Sequence, residues 1–310
     1  MEFSVPVTLP MSSPSTYGTQ VFPIQKFNNL SRLSSLNMSY HRELNSPFPI
    51  HLANLTSLSS LSLISCHLHG SVPYMPQLKE LNLHSNPDLH VNLTRIFNRR
   101  WPTLQFLRIS STKVTGSFLN LISNVPLLET LYASNSSIQG PIPKSICQIS
   151  FLRDLYLDGN NFTGTIPSCI TMLRYLDRLD IRNNSIEGNV SLPFLINKLN
   201  LTILDISSNK LTVAADQHLH IYPFLKIRRL MLVSCNLTGM LPTYICNLSH
   251  LEILDLSRNT LTGTIHSCIH KLKNLRSLDF SHNNLHGLLP LPGQNTKFYN
   301  LAHIPSVPII

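Results

Sequence analysis

Six cysteines, fourteen histidines and eleven Asn-x-Ser/Thr triplets carry most of the reactive potential of this 310-residue sequence. Four cysteines form two pairs of equal spacing, Cys147 with Cys169 and Cys246 with Cys268. An even set at a repeated spacing points to disulfides, and the alternative is four separate thiols packed as small apolar side chains. The repetition favours two bridges. The triplets start at Asn29, Asn37, Asn54, Asn92, Asn135, Asn161, Asn183, Asn189, Asn200, Asn236 and Asn247. They are acceptors for N-linked glycans if the chain enters the secretory pathway, although an Asn-rich sequence also produces such triplets by composition. His266, His270 and His286 lack the spacing of a zinc site, and His67 with His69 merely flanks one turn. Ser, His and Asp are plentiful, yet no strand-turn-helix nucleophile motif assembles a triad. The chain reads as a non-enzyme with no cofactor and no metal site.

The elements that position these residues are set by a leucine pattern. The leucine opening a Leu-x-Leu pair, or its substitute pair, falls at Leu36, Leu61, Leu81, Leu107, Leu131, Leu155, Leu179, Leu204, Leu230, Leu254 and Leu278. Self-similarity at this period means a solenoid, each coil burying its apolar face against the next. In the clearest unit Leu155 and Leu157 alternate with polar residues, the period of a strand buried on one side. Asn160 then turns inward, where its amide pairs backbone groups that the bend leaves without partners. Asn184, Asn209, Asn259 and Asn283 repeat the position, and Cys66, Thr112, Ser136 and Cys235 replace it with other small hydrogen-bonding side chains. Gly164 next permits a backbone that a Cβ resists, and Pro167 opens the convex segment. The Leu-x-Gly-x-Ile-Pro element is degraded near Val190, Ile265 and above all Val213, where Ala214 and Ala215 stand. That last repeat is expected to be irregular.

Adjacent coils stack about 4.8 Å apart, within the Cα range a disulfide accepts, so the paired cysteines lie on consecutive convex segments. The same stacking aligns side chains between the buried strand leucines into columns. Asp205/Ser207, Asp255/Ser257 and Asp279/Ser281 repeat one another and read as scaffold. Departures gather at Arg108, Tyr132, Tyr156 with Asp158, and Asp180 with Arg182, followed by Met231 and Val233 beside Arg228 and Arg229. Tyr and Arg are frequent interface anchors, while Tyr also suits any strand. These residues are the candidate ligand patch, and glycans at Asn135 or Asn183 would project near it.

Asn-x-Leu-x-Gly-x-Ile-Pro within a 24-residue repeat, with Ser-Cys-His-Leu-His-Gly from Ser65, Asn-Pro-Asp-Leu from Asn86 and Ile-Cys-Asn-Leu-Ser from Ile245, resembles the ectodomains of plant receptor-like proteins, the kinase-less relatives of leucine-rich-repeat receptor kinases. The resemblance implies an α/β solenoid, a right-handed superhelix with a parallel concave sheet and short helical or irregular convex segments. It spans about eleven repeats and an incomplete last one over residues 27–304, with a disordered or non-native segment at 1–26 and a tail at 305–310. It further implies a plasma-membrane protein recognising a peptide, glycan or microbial protein on its concave face, with a co-receptor kinase as a possible signalling partner. The net charge of +9 is scattered rather than clustered, which speaks against nucleic acid; acidic cell-wall polysaccharide is a more sensible polyanion in that compartment. No signal peptide or membrane-length apolar run is evident, so membrane attachment would need a missing segment and the chain reads as truncated. The alternatives are a soluble inhibitor similar to polygalacturonase-inhibiting proteins, or an inactive fragment.

Overall fold

The computed structural model describes residues 7–8, 31–116, 124–214, 225–287 and 295–304. Residues 1–6, 9–30, 117–123, 215–224, 288–294 and 305–310 lie outside it, and with them Asn29, Ala215, most of the predicted N-terminal segment and the whole predicted tail. The chain divides into two compact units, Met1–Leu152 and Arg153–Ile310.

Each unit is a stack of coils around a parallel sheet of three-residue strands. In the first unit the register runs Leu36, Leu61, Leu81, Leu107, Leu131, with the short strand Val7–Thr8 paired to Ser35–Asn37 before them. In the second it runs Leu155, Leu179, Leu204, Leu230, Leu254, Leu278 and Tyr299. All eleven leucines read from the sequence are in register within their unit and at most 3% exposed. Burying each stabilises the fold by roughly 1.5–3 kcal/mol, and the same contribution repeats in every coil. The strand at Phe298–Asn300 is the expected start of one more coil, with half-buried Tyr299 in the leucine position.

The inward asparagines form the expected ladder. Asn259 donates through Nδ2 to the carbonyls of Leu232 and Leu256, and its Oδ1 accepts from the amides of Cys235 and Leu237. Asn184, Asn209 and Asn283 repeat this, each donating to a carbonyl of its own coil and one of the coil before. The substitutes work as donors too: the Cys66 thiol donates to the Met38 carbonyl at 3.0 Å, and the Ser136 hydroxyl to that of Ile109 at 3.0 Å. Burial pushes the Cys66 thiol up to about 11 and that of Cys235 up to about 12, so both stay protonated and keep the hydrogen the ladder uses. Asn86 belongs to the ladder as well, joining Leu63 and Leu83 through Nδ2 and Cys66 and Leu68 through Oδ1. The Asn-Pro-Asp motif around it had hidden that role.

The convex segments sort by sequence. After four of the turn prolines a five-residue 3-10 helix follows, Ile50–Asn54 after Pro49, Lys144–Gln148 after Pro143, Ser168–Met172 after Pro167 and Thr243–Asn247 after Pro242, whereas after Pro73 the segment has no helix. In each of these helices, the proline carbonyl accepts from the amide three residues on, which turns a buried Leu or Ile inward. His266 replaces proline before Ser267–Lys271, and the turn keeps the same backbone bond, the His266 carbonyl accepting from the amide of Ile269 at 3.2 Å, with His266 Nδ1 accepting in addition from the amide of Cys268. That repeat is therefore regular despite its degraded motif. Where the element lacks a proline in that place, α-helices appear instead: α1 at Leu93–Phe97, capped by Asn92, and α2 at Leu192–Lys198, capped by Ser191 with Pro193 in its first turn. In the described part of the Val213 repeat the strand Lys210–Ala214 pairs over five residues with Glu187–Ser191 in unbroken register, and the rest of the repeat expected to be irregular, residues 215–224, lies outside the described residues.

Candidate ligand-binding face

The candidate residues fall in both units. In the first, Arg108 on the strand Phe106–Arg108 reaches Glu80 of the preceding coil at 2.9 Å, and its guanidinium carbon lies 5.5 Å from the Tyr132 ring centroid. The pairing follows from strand register, which sets Asn82, Arg108 and Tyr132 side by side. These side chains border a depression of about 270 Å³ with Ile64, His84, Ser110 and Asn135 on its walls. Asn135 is exposed, so a glycan there would stand on the rim of the same depression.

In the second unit Arg182 is the hub of a carboxylate cluster. Its guanidinium lies 3.1 Å from Asp205, 3.7 Å from Asp180 and 4.0 Å from Asp158. Asp158, Asp180 and Asp205 come from three successive coils and are buried, whereas Arg182 is exposed. Burial, with the negative charges of Asp205 and Asp158, pushes Asp180 up to about 7 against the opposing pull of Arg182. Arg182 itself is pulled down by burial and raised further by the three carboxylates, so the net direction is up. The cluster thus presents one cation outward above a layer of acid. Asp205, which reads as scaffold in the sequence, is the closest partner of Arg182; only the neighbouring coil's arginine gives it that role.

Tyr156 and Arg228 border a second depression, about 430 Å³, together with Asp177, Arg178, Thr202, Ile203, Arg229 and Glu252. Arg228 is held by Glu252, through Nε at 2.8 Å and through Nη2. Met231 stands apart, half-buried between Asp205 and Asp255 in the strand register. Asp154, Asp177, Arg178, Lys226 and Glu252 were not among the sequence candidates. They occupy the polar positions just before the strand leucines or between coils, where a one-dimensional pattern marks only solvent exposure.

Cys246 and Cys268 are joined across the turns Thr243–Asn247 and Ser267–Lys271. Cys147 and Cys169 are each disulfide-bonded, and Cys66 and Cys235 are free and buried. Among the described triplets every asparagine is exposed except the half-buried helix cap Asn92. No described helix is long and apolar enough to cross a membrane.

Two segments match the leucine rich repeat family, residues 226–285 and residues 151–173. No curated protein matches the chain. Among solved structures it is similar to the plant peptide hormone receptor RGFR1 in complex with RGF2, at 24% identity and a TM-score of 0.71 over 91% of this chain and 49% of that one. It is similar to a TDR receptor at 27% identity and 0.69, over 86% and 48%. It is also similar to the ectodomain of the receptor kinase GASSHO1/SCHENGEN3 from Arabidopsis thaliana, in complex with CASPARIAN STRIP INTEGRITY FACTOR 2, at 27% and 0.64 over 87% and 40%. The chain spans about half the length of these proteins or less. Its architecture is a leucine-rich-repeat α/β solenoid, a fold it shares with these plant receptors.

Proposed function

We propose that this chain is the extracellular recognition module of a plant receptor-like protein, binding a peptide on its concave sheet and signalling through a partner kinase. The observation that carries the reading is the replacement of the repeated Asp/Ser scaffold pairs by Arg108 with Tyr132 in one unit, and by Tyr156 and the Arg182 cluster in the other. An aromatic ring beside a held guanidinium offers apolar area and directed charge at small entropic cost, because both side chains are ordered before the ligand arrives. The solved structures it is similar to, one of them a plant peptide hormone receptor in complex with RGF2, support the peptide class over a glycan or a target enzyme.

The test is capture of peptides from plant extracellular fluid on immobilised glycosylated protein, identified by mass spectrometry. Tyr132→Ala and Tyr156→Ala should each remove the captured peptide, with circular dichroism unchanged. Capture that neither substitution alters would place recognition elsewhere.

A further inference from the structure

A groove of about 520 Å³ runs along the edge of the second unit's sheet, on the side where the chain enters the strands. It goes beyond the peptide reading and holds none of the side chains on which that reading rests. We propose that this groove binds an acidic oligosaccharide, a chain of uronate sugars each bearing a carboxylate.

Four cations line it, Arg153, Arg174, Arg178 and Lys226, against two carboxylates, Asp154 and Asp177. The acids lie low and the bases stand up. Asp154 and Asp177 side chains are 16% and 24% exposed, while those of Arg178 and Lys226 are 43% and 45%. Arg178 reaches Asp154 at 3.4 Å and Asp177 at 3.6 Å, and Lys226 reaches Asp177 at 2.9 Å. The carboxylates therefore hold the cationic heads in place from beneath, and what a ligand meets is predominantly positive. Ordered guanidinium groups grip carboxylates through paired N–H donors. Arg178 is shared with the adjoining depression, which adds Arg228 and Arg229 against Glu252, so the charge extends as a tract suited to a ligand with repeated charges.

Saccharide is favoured over acidic peptide by the rest of the lining. Tyr175 is 53% exposed, with the Arg153 guanidinium 5.6 Å from its ring centroid. A sugar ring can lay its C–H face on that tyrosine while its carboxylate meets the arginine beside it. Leu176 is the only aliphatic side chain in the lining and it is buried, so the groove has no apolar pocket of the kind that anchors a peptide side chain. Asn200, first residue of an Asn-Leu-Thr triplet, lies on the groove wall, where a glycan would compete for the space.

The experiment uses the whole secreted chain with Asn200→Gln, and titrates an oligogalacturonate, its methyl ester and an oligoglutamate of equal charge. The expected result is binding of the oligogalacturonate alone, weakened as salt rises. Arg174→Ala with Lys226→Ala should weaken it by at least about tenfold, and Tyr175→Ala by about tenfold, while Tyr132→Ala leaves it unchanged and reports only on the peptide site. Equal binding of the oligoglutamate, retained binding of the ester, or affinity indifferent to Arg174, Lys226 and Tyr175 would each overturn the proposal, as would absence of binding in protein whose circular dichroism is native.

Discussion

At the residue scale, the ladder asparagines convert a polar sequence into a buried framework. Asn259 joins two carbonyls and two amides across coils, and no alanine can replace those bonds. Removing its side chain leaves buried backbone groups unpaired at roughly 1–3 kcal/mol each. Asn259→Ala should therefore lower unfolding stability by about 3 kcal/mol or more, read from urea titration; a loss under about 1 kcal/mol would show the groups find other partners. Asp180 carries a different consequence. Its folded pKa, about 7, lies above the ordinary carboxylate value, so the native state holds a proton that the unfolded chain releases. Its contribution is favourable below the unfolded pKa of about 4 and is lost as pH rises through about 7. Asp180→Asn should flatten the fall in stability between these limits. An equally steep fall in the variant would remove Asp180 as its cause. The ladder, and Asp180 with Arg182 as a departure from the scaffold pattern, were legible in the sequence; the part of Asp205 was not, because it repeats the Asp/Ser scaffold pair until Arg182 of the coil before reaches it.

At the element scale, the residue that opens the convex segment biases it towards a 3-10 turn or an α-helix. Proline before the convex segment fixes φ and leaves its carbonyl to start a tight turn, while Asn92 and Ser191 offer side-chain caps that begin a helix. The disulfide between Cys246 and Cys268 ties two such turns across neighbouring coils. Closing a loop of this length should stabilise the fold by roughly 3 kcal/mol, so Cys246→Ser with Cys268→Ser should lower the unfolding free energy extrapolated from urea titration by about that amount, moving the midpoint down, with an unchanged midpoint refuting it. Glycine matters less uniformly than its recurrence suggests. At Gly287 a Cβ would meet the Thr264 methyl at 2.7 Å with φ at +90°, whereas at Gly239 the space is open and only φ, +82°, resists. Gly287→Ala should accordingly destabilise more than Gly239→Ala in the same titration. The turns were foreseen from the Gly-x-Ile-Pro element. The surviving turn at His266 was not, because its backbone carbonyl makes the same bond that the proline carbonyls make, with the His266 ring adding a second acceptor.

At the scale of the molecule, stability comes from repetition, each coil burying its leucines against the next. Such a scaffold tolerates surface variation between the fixed positions, and that is where the proposed ligand contacts and the Asn-x-Ser/Thr triplets lie. The exposed triplet asparagines predict heavy glycosylation on secretion. Protein expressed behind a signal peptide should lose mass on enzymatic removal of N-glycans, with peptide mapping finding Cys66 and Cys235 as the free thiols. Unchanged mass would mean the triplets arise from composition alone.

The sequence by itself determined the coil, the register of its leucines, the inward ladder and the position of its turns, because each depends on residues near one another along the chain at a constant period. Only the tertiary structure decided which polar residues act together. The Arg182 cluster, the Arg108–Tyr132 pair and the basic groove each join side chains a coil or more apart, and stacking at about 4.8 Å makes neighbours of residues that the sequence separates by some two dozen positions.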